Sequence, residues 1–224
     1  MTAFLKSLPR NEMIAEFSLW SANLLRLEDD LKRIAPHCDI LHVDVADGHF
    51  APAMLFFPDQ IAAVKKVSKL PIHVHLMVAD KILIEQINQF AEAGADLISI
   101  HAENANAVEA LSHIKSKGIA TGLVLKWDTS VSAVATFIDD INFLTLLGTA
   151  IGVKGQSLSA HAPARLQEAK ALIGARDIIL AADGGIRDNT VPLLRAAGAQ
   201  TVVLGSLAFG APDLGEKIKW LKAL

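Results

Sequence analysis

Short runs of mostly Ile, Val and Leu, each four to six residues long, recur eight times along this chain with longer amphipathic stretches between them. They are Ile14–Leu19, Ile40–Val45, Ile72–Met77, Leu97–His101, Ala120–Leu125, Phe143–Leu147, Ile178–Ala182 and Thr201–Leu204. Such runs fit strands covered on both faces, as in a parallel sheet. The intervening windows have helical spacing. In Leu24–Ile34, Leu24, Leu27, Leu31 and Ile34 fall on one side, and Arg26, Asp29, Asp30 and Arg33 on the other. Ile82–Glu92, Ala107–Lys117, Ala164–Ile173 and Val191–Ala197 read alike. Gly94, Gly118, Gly174 and Gly198 follow the expected helix ends, where a left-handed cap needs no side chain.

Eight such units leave two architectures, an open doubly wound sheet and a closed barrel. The count favours the barrel, and the Gly-x-Gly-x-x-Gly of a dinucleotide fold is missing after the first strand, where the chain reads LWSANL. The 224 residues suffice for one large core, so residues 1–224 are expected to form a single-domain α/β (β/α)8 TIM barrel. A composition of 52% hydrophobic and 20% charged residues excludes disorder. A net charge of −3 gives no reason to expect nucleic acid or a membrane surface as partner. No stretch approaches the roughly 18 apolar residues of a membrane span. The opening MTAFLKSLPR has no signal-peptide core, and the single cysteine, Cys38, precludes an internal disulfide. The expectation is a soluble, cytoplasmic protein.

In such a barrel, chemistry belongs at the C-terminal ends of the strands, with phosphate beside the last two. Strand two ends His42-Val43-Asp44, strand three carries His73-Val74-His75, strand four ends at His101, and Asp183 closes strand seven. Residues two apart share a face. If Val43 and Val74 face the helices, their polar neighbours face the interior, where ionisable groups bind a metal or one another. Singly, His73 lies deep and reads as a hydrogen-bonded core residue. His101 fits either role, and Glu103 begins the next loop. Two His and two Asp form a mixed nitrogen and oxygen set suited to one Zn²⁺, Fe²⁺, Mn²⁺ or Co²⁺ rather than Mg²⁺. Cys38 lies too far from the strand ends and reads as a small buried residue. Asp183-Gly184-Gly185 and Gly205-Ser206 put glycines where backbone N–H groups can approach a phosphate, with Arg187 nearby. Asp47-Gly48 reads as a turn, and Trp20, Trp127 and Trp220 as packing residues.

These residues carry a resemblance. HVDVADGHF (His42–Phe50), HVHLM (His73–Met77), IHAE (Ile100–Glu103), ADGGI (Ala182–Ile186) and VVLGSLAF (Val202–Phe209), with Ser21-Ala22 after strand one, are similar to the ribulose-phosphate 3-epimerase family in order and over nearly the whole chain. The resemblance implies a ribulose-phosphate-binding barrel that moves a proton at C3 of a ketose phosphate, of the D-ribulose 5-phosphate / D-xylulose 5-phosphate type. It implies that His42, Asp44, His75 and Asp183 hold one divalent metal ion, and that Asp44 and Asp183 are the acid/base pair. It further implies that Ser21 and Met77 line the sugar site, that Gly184, Gly185, Gly205 and Ser206 hold the phosphate, and that Gly152, Gly155 and Gln156 belong to a loop covering the substrate. Homo-oligomers, dimers or hexamers, are the family's usual assembly.

The chain also departs from that pattern. Ala46 stands where the family has methionine, removing bulk beside the sugar, and His73 where it has aspartate. The sixth loop, Ala150-Ile151-Gly152-Val153-Lys154-Gly155-Gln156, lacks the family's proline and one glycine and gains a charge at Lys154. Lys126-Trp127-Asp128 replaces an Asn-Pro at strand five. These changes leave two alternatives open, a hexulose-6-phosphate (allulose 6-phosphate type) 3-epimerase and a non-catalytic sugar-phosphate-binding paralogue. A decarboxylase of the related phosphate-binding barrels is disfavoured, because strand three lacks its Asp-x-Lys-x-x-Asp.

Overall fold

The computed structural model describes residues 2–224. Eight parallel strands close into a barrel in sequence order, each paired with its neighbours and the last returning to the first. They are β1 (Ile14–Ser18), β2 (Ile40–Ala46), β3 (Ile72–Met77), β4 (Leu97–His101), β5 (Ala120–Leu125), β6 (Phe143–Leu147), β7 (Ile179–Asp183) and β8 (Thr201–Leu204). Around them lie α2 (Leu27–Ile34), α3 (Pro58–Val67), α4 (Asp80–Ala93), α5 (Ala107–Ser116), α6 (Ala162–Ile173), α7 (Val191–Ala196), the short α8 (Ser206–Phe209) and α9 (Leu214–Lys222). Among the described residues, no helix is long and apolar enough to cross a membrane.

The strands fall within one residue of the expected runs. Leu19 leaves β1 for a 3-10 turn over Leu19–Ser21, which carries Ser21 onto the barrel mouth. β7 starts one residue late, because the Ile178 N–H turns back to the Arg176 carbonyl, and so Asp183 is its last residue. Among the helices outside the expected windows are α1 (Ala3–Ser7) and α3. α3 starts on Pro58 with Asp59 in its first turn, and α1 has five residues. Between β5 and β6 the crossover is only a 3-10 turn over Val131–Thr136. Gly94, Gly118, Gly174 and Gly198 all take positive φ at helix ends, as the sequence suggests.

Alternation along the strands sorts side chains into two cores. Ala15, Phe17, Leu41, Val43 and Val74 face the helices in the outer core. The inward residues form layers. At the floor, Ile14, Ile40, Leu97, Ala120, Phe143 and Ile179 pack together, and Leu5 and Leu8, on and just after α1, close the barrel's end. Above that apolar plug the interior turns polar: Glu16, His42, His73 and Ser99 are all wholly buried. Ser18, Asp44, His75 and His101 lie one pleat higher, where the barrel opens. The plug keeps water out from below, so every polar group of the middle layer must find its partner within the barrel.

Gly122 of β5 shows how tightly that layer is fitted. A Cβ there would stand 1.8 Å from Ser99 Oγ and 3.2 Å from Ser99 Cα, so only glycine lets Ser99 point inward. Gly122→Ala is expected to cost about 1–3 kcal/mol by overpacking, seen as a thermal midpoint lowered by roughly 2–10 °C. An unchanged midpoint would show that the layer has slack.

Candidate active site

The site is set by which lone pairs face one another. Asp44 Oδ1 stands 3.2 Å from His42 Nε2 and 3.2 Å from His75 Nδ1. One ligand atom each from His42, Asp44, His75 and Asp183 falls within a 4.8 Å cluster. The far nitrogen of each imidazole is already committed. His42 Nδ1 lies 2.7 Å from Glu16 Oε1, and a carboxylate oxygen only accepts, so Nδ1 carries a proton there. His101 Nδ1 likewise donates to Glu103 Oε2 at 3.1 Å, which leaves His101 Nε2 to accept from His75 Nε2–H at 2.9 Å. In neutral rings the lone pairs of His42 Nε2 and His75 Nδ1 therefore both point at the Asp44 carboxylate. Three acceptors turned on one another need positive charge between them.

A divalent ion meets that need, and the donor set fits one. Two ligands about 2.0–2.1 Å from a tetrahedral metal lie roughly 3.3 Å apart, close to both 3.2 Å separations. A second group, Glu16, His42 and His73, does not fit. Its contacts of 2.7 and 2.5 Å are hydrogen bonds, too short for neighbouring ligands of one ion. His73 thus has the structural role that its depth suggested, donating to Glu16 and accepting from Ser99 Oγ at 2.6 Å.

Electrostatics splits the two aspartates. Burial would raise the Asp44 pKa, but His42 and His75 outweigh it and hold the carboxyl well below its usual range. Ser18 Oγ adds a hydrogen bond to Asp44 Oδ2 at 2.8 Å. Burial, reinforced by the Asp44 charge, pushes Asp183 up to about 6. Burial works against protonation of His42, yet Asp44 and Glu16 raise its pKa well above the ordinary value. Before an ion arrives, a proton on His42 can stand in for it, and binding must expel that proton. Burial also opposes ionisation of Glu103, but His101, Thr129 and the Lys126 N–H hold it down to about 2.

Above this cluster opens a cavity of about 440 Å³ with Asp44, His75 and Asp183 at its base. Ser21 and Met77 line its sides, and Gly184, Gly185, Gly205 and Ser206 line the wall under β7 and β8. Gly152, Gly155 and Gln156 come in from the loop after β6. His42 lies beneath the base, wholly buried. Gly184 and Gly185 take φ of 87° and 71°, and a Cβ on Gly184 would stand 2.3 Å from Thr149 Oγ1. Their bare backbone is thus required by local packing as well as by any anion. Gln156 braces its loop, donating to the carbonyls of Ala150 and Val153.

Trp20 is not simply a packing residue: it lines the cavity mouth, with Lys154 Nζ 4.7 Å above its ring and bonded to its carbonyl oxygen. Lys154 thereby straps the sixth loop to the end of β1. Ala46 does not itself line the cavity but packs against Ala51 and against Met77, which does. Asp47 is a turn residue as expected, accepting from the N–H groups of His49, Phe50 and Ala79. Glu16 and Ser18 belong to the site as well, though neither stands at the end of an expected strand. Their signal is parity, since Ile14, Glu16 and Ser18 alternate on the inward face of β1, and an acid inside IAEFSL is out of place unless partnered.

Comparison with known proteins places the chain in a family. The model described as "Ribulose-phosphate 3 epimerase family" matches residues 14–209. The chain is 32% identical over 210 residues to the ribulose-phosphate 3-epimerase of Bacillus subtilis (strain 168), covering 92% of this chain and 96% of that one. It is 33% identical over 213 residues to the ribulose-phosphate 3-epimerase of Escherichia coli (strain K12), covering 92% and 93%. Among solved structures it is similar to orotidine 5'-phosphate decarboxylase from Pyrococcus horikoshii OT3, with TM-score 0.68 at 14% identity, covering 93% of this chain and 97% of that one. A 3-hexulose-6-phosphate synthase gives TM-score 0.66 at 17% identity, covering 94% and 96%. At such identities these two structures speak to the fold alone.

The buried histidines make stability depend on pH. Burial lowers His73 to about 4, with Glu16 only partly offsetting it, against 6.5 in the unfolded chain. The unfolded state therefore binds the extra proton between those values, and His73's contribution, complete above pH 6.5, drains away as pH falls towards 4. His42 titrates with the opposite sign, so a difference measurement is needed. Relative to His73→Gln, the metal-free wild type is expected to lose on the order of 2 kcal/mol between pH 7 and pH 5 in denaturant titrations. Parallel pH profiles would contradict the assignment.

Proposed function

Since the chain belongs to the ribulose-phosphate 3-epimerase family, we propose that it inverts C3 of a phosphorylated ketose of the D-ribulose 5-phosphate / D-xylulose 5-phosphate type, using Asp44 and Asp183 as its two acid/base groups. The observation that carries this reading is the placement of two carboxyl groups at the base of one cavity in unequal surroundings: His42 and His75 hold Asp44 well below the usual carboxylate range, while burial beside the Asp44 charge raises Asp183 to about 6. Inversion at carbon requires a proton to leave one face and another to arrive on the other. A single base would return the proton to the side it came from. Two carboxyls, one starting charged and one starting protonated, suffice for either direction of the reaction.

In the forward sense the Asp44 carboxylate takes the proton from C3, and the Asp183 carboxyl delivers its own to the opposite face. The aspartates then stand with their protonation states exchanged, and the reverse reaction begins from that arrangement. The hydrogen bond from Ser18 Oγ keeps Asp44 aimed into the cavity. A divalent ion held by His42, Asp44, His75 and Asp183 would supply positive charge against the negative charge that develops on the substrate oxygens. The backbone of Gly184, Gly185, Gly205 and Ser206 receives the phosphate, fixing the distance from the anion to the aspartates. Lys154, strapped on Trp20, sets a positive charge at the mouth of the cavity.

The direct test is solvent exchange. In D₂O, deuterium should enter C3 of one class of ketose phosphate, and a panel of pentulose, hexulose and tetrulose phosphates identifies which. No exchange with any of them would leave the non-catalytic binder as the better reading. Asp183→Asn is expected to lower turnover at least 10²–10⁴-fold while leaving the circular dichroism spectrum intact, and full activity would remove Asp183 from the pair. Ser206→Asp sets a second negative charge against the phosphate and should raise KM with little change in kcat. An unchanged KM would take Ser206 out of the phosphate site.

A further inference from the structure

Glu16 is wholly buried one layer below the cavity and has no part in the chemistry proposed above. Its Oε1 accepts from two imidazoles at once, His42 Nδ1 at 2.7 Å and His73 Nδ1 at 2.5 Å. His73 is in turn held by Ser99 Oγ at 2.6 Å, in the place that Gly122 leaves open, and Glu16 Oε2 faces the Thr201 hydroxyl at 3.4 Å. The carboxylate is thus fixed from β2, β3 and β8, and its lone pairs are directed at ring nitrogens. A residue serving only to fill this layer would need no charge, and a charge in a water-free interior is costly unless something is gained by it.

We propose that Glu16 is a positioning residue for the divalent ion: by accepting the Nδ1 proton of His42 it fixes the tautomer and rotation of that ring, so that Nε2 is presented beside Asp44. The inference rests on the metal reading given above. His73 and Ser99 act as the strut that keeps Glu16 from swinging away. The same device recurs on the other imidazole of the set, where Glu103 reaches His75 through His101. In both cases the nitrogen turned away from the site is tied, directly or through one ring, to a carboxylate, and the nitrogen turned towards it keeps its lone pair. Such partners fix ligand orientation and commonly contribute ten- to hundredfold to metal affinity.

The test titrates Zn²⁺ into chelator-stripped protein against a competing chelator, alongside NMR of ¹⁵N-histidine-labelled protein. Glu16→Leu is expected to weaken Zn²⁺ binding by about 10–100-fold. Glu16→Gln, whose amide oxygen can still accept, should lose less. In the wild type, two strongly downfield Nδ1 protons are expected, from His42 and His73. They should remain but move upfield in Glu16→Gln, whose neutral amide is a weaker acceptor, and vanish in Glu16→Leu. A folded Glu16→Leu protein with wild-type Zn²⁺ affinity overturns the proposal. Should that variant fail to fold, the wild-type spectrum decides: a His42 Nδ1 without a proton, or one whose shift ignores Glu16→Gln, overturns it equally. A wild type that binds no Zn²⁺ overturns the metal reading itself. One that binds Zn²⁺ while Glu16→Leu binds it equally well overturns only the role of Glu16.

Discussion

Negative charge enclosed without a basic side chain to balance it is the constraint from which the rest of this barrel follows. Glu16 and Asp44 are buried inside the barrel and Asp183 stands at its rim, whereas no lysine or arginine is buried among the described residues. Four imidazoles, His42, His73, His75 and His101, supply donors instead, and each has one nitrogen engaged with a carboxylate or with another ring. Donor N–H groups lessen the cost of buried carboxylates but do not cancel their charge. What remains is concentrated where His42 Nε2, His75 Nδ1 and Asp44 Oδ1 converge, a place that calls for a cation. Burial and the Asp44 charge also raise Asp183 to about 6, whereas the imidazoles hold Asp44 low, and so the two aspartates are set apart.

Fold and site are therefore parts of one stack. The apolar plug that α1 completes keeps the lower barrel dry, which strengthens every interaction above it. The middle layer, Glu16 with His42, His73 and Ser99, is satisfied within itself and needs glycine at position 122 to fit. Only the top layer is open, and only it touches the cavity. Changes low in the stack should be felt at the mouth through the orientation of His42, with no contact to substrate at any point.

Much of this was legible in the sequence because a parallel barrel writes itself in long-lived patterns. The strands are runs apolar on both faces, and His42, Asp44, His75 and Asp183 stand out because polar groups interrupt those runs at strand ends. The less legible parts depend on contacts between distant segments. Glu16 acquires its meaning only when β1 is set in register beside β2, so that Glu16 pairs with Ile40 and comes within reach of His42 and then His73. Trp20 reads as packing until the sixth loop brings Lys154 over it, 134 residues away along the chain. Ala46 acts behind the cavity wall, through its packing on Met77, a relation that no local pattern encodes. α1 has five residues, too few to show a period, and tertiary packing rather than periodicity makes it a helix.

Anomalous X-ray scattering from crystals of the active protein grown with Mn²⁺, Co²⁺ or Zn²⁺ tests the central claim most directly. The account predicts one peak per chain, bonded to His42 Nε2, His75 Nδ1 and one oxygen each of Asp44 and Asp183, with His42 Nδ1 still on Glu16. An active protein with no ion among those four side chains, or with its ion bound elsewhere, would contradict it.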